Sequence, residues 1–308
     1  MHVTKWKSDN SLVGITTDVQ HNVVYFTCRR HGIWKLNITD LSCVPSQIVD
    51  NSLIDACGIV HGDNNFLYVC DKTNHYIYQY NIENNDISTL AGVGYNSPLR
   101  DMPMIEAPLD TPDGITIDNN GNLYVAERST IRKININDKT VETLFELVIL
   151  NYDYFTSVAE LEDGTVFYSA GTDIHMIQNG ESLWVAGVSF SAEGLIEHRS
   201  FDWIHALGMD GEDIVVCDNA DVIRRVDVNN TITNIQTHKP IFAPSCIVGA
   251  NNGILYVGTR TGEILKLEDM WYVERLLWIG NLKENSRDCH LAALPRDIIK
   301  EILGVMRE

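Results

Sequence analysis

The chain has 308 residues, is 44% hydrophobic, and carries 23 Lys plus Arg against 42 Asp plus Glu, a formal net charge of −19. That length and apolar content support a sizeable core and exclude a disordered tail or a disulfide-stapled mini-protein. So acidic a surface repels phosphate backbones, which argues against general nucleic-acid binding.

In chain order, Val3-Thr4-Lys5-Trp6-Lys7 alternates like a strand. A pattern then begins and recurs. Its first copy is Val13-Gly14-Ile15-Thr16, Val23-Val24-Tyr25-Phe26 and Gly32-Ile33-Trp34-Lys35-Leu36. The second is Cys57-Gly58-Ile59-Val60, Phe66-Leu67-Tyr68-Val69-Cys70-Asp71 and Tyr76-Ile77-Tyr78-Gln79-Tyr80. The clearest is the third, Asp113-Gly114-Ile115-Thr116-Ile117, an Asn120-Gly121 turn, Leu123-Tyr124-Val125-Ala126-Glu127 and Ile131-Arg132-Lys133-Ile134. Three more follow around Phe167, Val215 and Tyr256. Further β-rich segments between the copies, such as Ile87-Ser88-Thr89-Leu90, Val141-Glu142-Thr143-Leu144 and Ser182-Leu183-Trp184-Val185, supply a fourth strand. The central residues of the second strands, Tyr25, Tyr68, Tyr124, Phe167, Val215 and Tyr256, lie 41 to 56 residues apart.

A four-stranded unit cannot bury both faces of its twisted sheet alone, so such units pack face to face around an axis. The pattern therefore predicts an all-β, six-bladed β-propeller over residues 1–280, followed by a linker and a short C-terminal α-helix over residues 281–308. Ring closure is expected from residues 3–7 acting as the outer strand of the sixth blade, whose other candidate is residues 273–279. From Thr89 to Ile136 the order Thr89-Leu90-Ala91-Gly92, a long loop, Pro112-Asp113-Gly114-Ile115 and Asn122-Leu123-Tyr124-Val125 resembles the NHL-repeat propellers. The loop, residues 93–112, contains Pro98, Pro103, Pro108 and Pro112 with Met102 and Met104; it is read as packed rather than partner-binding.

In propellers polar chemistry gathers where the first strands open into the central channel. The repeat alignment puts Asp55, Asp113, Thr156, His205 and Ser245 there. Asp55, Asp113 and His205 have the donor types for a cation, and the resemblance extends to lyase and lactonase-like propellers that use zinc or calcium in the channel. His205 is the only histidine at such a position, so no metal or other cofactor is expected, with calcium or zinc as the alternative. Asp71, Glu127 and Asp218 share one position after the second strand and are expected to accept hydrogen bonds from the following turn. No GxSxG, HExxH, P-loop or EF-hand signature occurs. A non-enzymatic scaffold that binds a protein through its loop faces is the expectation; a metal-dependent lyase or lactonase-type hydrolase is the rival.

Seven cysteines without paired spacing suit reduced thiols, and no apolar leader or membrane-length apolar run occurs, so a cytoplasmic or nuclear protein without a membrane partner is expected. The C-terminal segment Leu294-Pro295-Arg296-Asp297-Ile298-Ile299-Lys300-Glu301-Ile302-Leu303 is similar to the first helix of an F-box, which docks on a ubiquitin-ligase adaptor. Leu294, Pro295, Ile298, Ile299, Ile302 and Leu303 are the candidate partner-binding residues, with packing on the propeller as the competing reading.

Overall fold

A computed structural model describes residues 2–8, 10–39, 42–50, 53, 55–62, 65–94, 101–146, 155–161, 163–190, 196–199, 201–250 and 253–268. The candidate C-terminal helix, the F-box-like segment, the boundary at 280 and the strand expected at residues 273–279 lie outside the described residues.

Strand β1 (His2–Lys7) opens the chain. Blade 1 is β2 (Leu12–Asp18), β3 (Val23–Cys28), β4 (Gly32–Asn37) and β5 (Ser46–Val49). Blade 2 is β6 (Ala56–Gly62), β7 (Phe66–Asp71), β8 (Tyr76–Asn81) and β9 (Ile87–Ala91). Blade 3 gains a fifth strand from the long loop: β10 (Met102–Pro103) precedes β11 (Ile115–Ile117), β12 (Leu123–Ala126), β13 (Thr130–Asn135) and β14 (Thr140–Glu146). Blade 4 is β15 (Phe155–Glu160), β16 (Val166–Ala170), β17 (Asp173–Gln178) and β18 (Glu181–Ala186); a hairpin of β19 (Val188–Phe190) and β20 (Ile196–Arg199) follows. Blade 5 is β21 (Ile204–Asp210), β22 (Asp213–Asp218), β23 (Val222–Val226) and β24 (Ile232–Asn234). Blade 6 holds β25 (Pro244–Ala250), β26 (Ile254–Thr259) and β27 (Glu263–Glu268), with β1 as its outer strand.

Every blade is an antiparallel meander, and the inner strands β2, β6, β11, β15, β21 and β25 touch in cyclic order, β25 returning to β2. The predicted six-bladed propeller is thus the observed fold. Alternation along each strand sends one set of side chains to each neighbouring blade, so the core is divided among six seams. The predicted central residues follow this rule: Tyr25 joins the seam to blade 2, Tyr68 that to blade 3, Tyr124 that to blade 4, and Tyr256 that between blades 6 and 1.

Closure occurs as the N-terminal alternation predicts. β1 pairs antiparallel with β27, Val3 opposite Leu267 and Trp6 opposite Ile264. Val3 packs into the seam between blades 5 and 6 and Trp6 into that between blades 6 and 1. Of the long loop, the described residues 101–112 pack as expected: Ala107 and Leu109 are fully buried, and Met102 and Met104 wedge onto the core between blades 2 and 3. Inner strands approach so closely that a Cβ on Gly58 would lie 2.3 Å from the Asp113 carbonyl oxygen, and one on Gly14 2.2 Å from that of Cys57.

Candidate functional site

The inner strands begin at one mouth of the channel, and each carries a β-bulge near its start that aims one side chain out of the ladder. The pairing skips Val13, Thr156, His205 and Ser245 in blades 1, 4, 5 and 6. In blade 3, Asp113 occupies the same place, its amide donating to the Ala126 carbonyl while that of Ala126 donates to Gly114. In blade 2, Cys57 and Gly58 together oppose Cys70, and the match of Gly58 to Gly14 and Gly114 makes Cys57 the bulged residue. Asp55 therefore sits two residues earlier than the repeat alignment had it.

The six positions divide by chemistry. In blades 2, 4 and 6 the bulged side chain donates to the carbonyl just before the next blade's bulge: Cys57 Sγ to Pro112 at 3.3 Å, Thr156 Oγ1 to Ile204 at 3.2 Å, and Ser245 Oγ to Leu12 at 2.7 Å. These are inter-blade ties. In blades 1, 3 and 5 the residue is Val13, Asp113 or His205, so Asp113 and His205 are the bulged side chains with an acid or base not used as an inter-blade tie.

Asp113 and Asp55 each have a cation beside them. Lys72 Nζ lies 2.5 Å from Asp113 Oδ2. Burial alone would lower the Lys72 ammonium, but the Asp113 charge and hydrogen bond outweigh it and hold the lysine above its ordinary pKa. Asp55 Oδ1 lies 3.1 Å from Arg29 Nε, an ion pair without hydrogen-bond geometry, and Asp55 Oδ2 accepts from the Thr73 hydroxyl at 3.0 Å. His205 Nε2 is 3.1 Å from Asn219 Oδ1, which also accepts from Arg260 Nη2 at 3.2 Å, while Asn219 Nδ2 donates to Asp202 at 2.9 Å. Since the amide oxygen only accepts, Nε2 carries the proton and Nδ1 is the basic nitrogen. Burial holds this imidazole below the usual histidine range. Asp55, Asp113 and His205 thus lie at one mouth, each with its own partner, and no cluster of three or more His, Cys, Asp or Glu suited to a metal ion occurs among the described residues.

The repeated acids after the second strand are fully buried and structural, with a correction in detail. Asp71 caps its own turn through the Asn74 amide at 3.0 Å. Asp218 instead accepts from the Asp202 and Trp203 amides, and Glu127 from the Asp110 amide and the Thr130 hydroxyl. Both therefore anchor the segment leading into their own blade's inner strand. Burial pushes Glu127 up to about 7, against the charge of the equally buried Arg132.

The opposite end of the seam between blades 4 and 5 holds a groove of about 950 Å³. Its apolar wall includes Phe167, Met176, Trp184, Met209 and Val228, and its lining includes the acidic residues Asp163, Glu212 and Asp227 with no Lys, Arg or His. Trp184 is 52% and Val228 63% exposed. The carboxyls of Asp163 and Asp227 are held below their ordinary pKa by turn amides, those of Thr165 and Thr231 foremost. Nearby Arg225 is taken up by Asp210 and Asp213, at 2.5 and 2.9 Å. The repeat pattern gave no sign of this groove; two large apolar residues in otherwise polar outer segments were the available signal.

No family model and no curated protein matches the sequence. Among solved structures, the virginiamycin B lyase of Staphylococcus aureus is 15% identical with a TM-score of 0.59, over 87% of this chain and 99% of that one. A gluconolactonase of Xanthomonas campestris is 9% identical with a TM-score of 0.62, over 85% and 87%. A chain of a nidogen–laminin complex is 13% identical with a TM-score of 0.60, over 78% and 85%. At these identities the likeness is one of fold.

Proposed function

We propose that this NHL-like propeller is a non-enzymatic protein-binding scaffold. The observation that carries the reading is the pairing at the channel mouth. Asp113 is neutralised by Lys72, Asp55 by Arg29, and His205 spends its Nε2 proton on Asn219. A catalytic cation requires several convergent ligands and an open position, whereas these side chains are committed separately to residues of this chain. Exposed apolar surface and the acidic residues Asp163, Glu212 and Asp227, with no Lys, Arg or His in the lining, lie instead at the far end, in the groove between blades 4 and 5.

The fold shared with a lyase and a lactonase keeps the metal-dependent reading as the rival. Elemental analysis of the purified full chain separates the two. The scaffold reading expects no stoichiometric zinc or calcium; a stoichiometric ion lost in Asp113→Ala or His205→Ala would overturn it. The sequence adds a second arm to the proposal, that the segment around Leu294, Pro295, Ile298, Ile299, Ile302 and Leu303 docks on a ubiquitin-ligase adaptor. Full-length and 1–288 chains should then differ in recovery of adaptor components, and equal recovery would remove that arm.

A further inference from the structure

Among the described residues, the protein fills one of its seams with its own chain and leaves the equivalent part of another open. Between blades 2 and 3, the extended segment at β10 lies along the outer edge of β14, Met102 opposite Val141, with the Met104 amide donating to Lys139 at 2.8 Å. Met102 and Met104 pack on the same core as Ile117 and Ile136.

Register identifies the same places in blade 5. Leu123 pairs with Ile134 and Ile134 with Val141 in blade 3; Ile214 pairs with Val226 and Val226 with Ile232 in blade 5. Two residues beyond these third-strand positions stand Ile136 and Val228. Ile136 is half-buried on the core that Met102 and Met104 cover, whereas Val228 is 63% exposed beside the groove. Among the described residues no strand pairs with the outer edge of β24, the counterpart of β14.

We infer that the groove between blades 4 and 5 binds an extended peptide segment of a partner protein, with large aliphatic or methionine side chains at alternate positions and lysine or arginine flanking them, lying along β24 as β10 lies along β14. The internal precedent sets the extended shape and the alternate apolar anchors. Charge complementarity sets the flanks, since the groove is lined by Asp163, Glu212 and Asp227 and by no cation. Edge-strand addition then supplies main-chain hydrogen bonds, and the pocket reads alternate side chains. This inference rests on the protein-binding reading and names the partner's chemistry.

The test is fluorescence anisotropy with the full chain and the labelled peptide Lys-Lys-Met-Pro-Met-Ile-Lys-Lys, which sets the residues found at 102–105 between lysine pairs. Saturable binding should weaken about tenfold in Trp184→Ala, Val228→Asp or Glu212→Lys, as expected for anchor contacts, and fall as salt rises. Replacing the flanking lysines by glutamates, or the apolar residues by alanines, should abolish it. No binding at about 1 mM, binding untouched by the three variants, or equal binding of the alanine peptide would overturn the inference. Self-association of the full chain abolished by the same variants would assign the groove to a second copy and overturn it too. Each of these results leaves the metal analysis unchanged, so failure of the groove assignment is distinct from failure of the scaffold reading.

Discussion

Trp6→Ala tests whether the N-terminal strand holds the ring shut. Trp6 is 5% exposed, lies opposite Ile264 in the β1–β27 ladder and packs with Leu12, Phe26 and Tyr256 where blade 6 meets blade 1. An indole burying about 200 Å² at about 25 cal/mol per Å² contributes about 5 kcal/mol, an upper bound because the unfolded chain already hides part of that area. Truncation should therefore cost about 3–5 kcal/mol, a large share of the roughly 5–15 kcal/mol that keeps a domain folded. Urea unfolding followed by far-ultraviolet circular dichroism reads the change, with Trp184→Ala as the control. Trp184 is half exposed on an outer strand, and its loss should move stability by less than about 1 kcal/mol. Equal, small effects for both would refute the clasp, because a ring that keeps its stability without Trp6 is not closed through β1.

Gly58→Ala should destabilise by about 2 kcal/mol or more, because its Cβ would meet a backbone oxygen that cannot move aside; Gly121→Ala, at φ +81° with open space around it, should cost only about 1 kcal/mol of backbone strain. Parity between the two in urea melts would contradict the close approach of inner strands. Ser245→Ala removes the hydroxyl tie from blade 6 to the Leu12 carbonyl and should cost about 1 kcal/mol by the same assay; no loss would make the tie incidental. Glu127, buried and pushed up to about 7 from 4.5, keeps its proton in the folded chain after the unfolded chain has released it. Its contribution is complete below about pH 4.5 and is lost as pH rises through about 7, a change of about 3 kcal/mol. Glu127→Gln should flatten that part of the stability–pH curve, and parallel curves for the two proteins would show that the carboxyl does not titrate there.

The blade count was legible because seam packing imposes one demand six times. Each second strand needs a large residue facing the next blade, and Tyr25, Tyr68, Tyr124, Phe167, Val215 and Tyr256 meet it visibly. The mouth was legible at Asp113, Thr156, His205 and Ser245 and misplaced at Asp55, which stands two residues ahead of the bulged Cys57. Gly58, matched to Gly14 and Gly114, carries the correct register, since all three lack a Cβ for one steric reason. What the bulged residues do was not legible. Thr156 and Ser245 looked like site positions, but a hydroxyl there reaches the next blade's carbonyl, a contact that exists only once the blades are adjacent.

The two ends of the propeller use charge in opposite ways, and the linkers decide where. At the mouth, a basic residue stands one or two places after the second strand in four blades, Arg29, Lys72, Arg128 and Arg260, and Arg29 and Lys72 each meet an acid placed before the next blade's inner strand. That arrangement cancels charge locally at Asp55 and Asp113. At the other end, tight turns expose carboxylates whose amide donors come from the turn itself, as at Asp163 and Asp227, so their charge is stabilised without being cancelled. A linker that descends along its blade covers such a seam, as residues 101–104 do on blade 3. The linker after blade 4 instead forms the β19–β20 hairpin, and the far end of that seam keeps both its apolar wall and its carboxylate rim. The open end of this seam among the described residues is therefore set by the path of one connection, while the blades on either side obey the same rule as the rest.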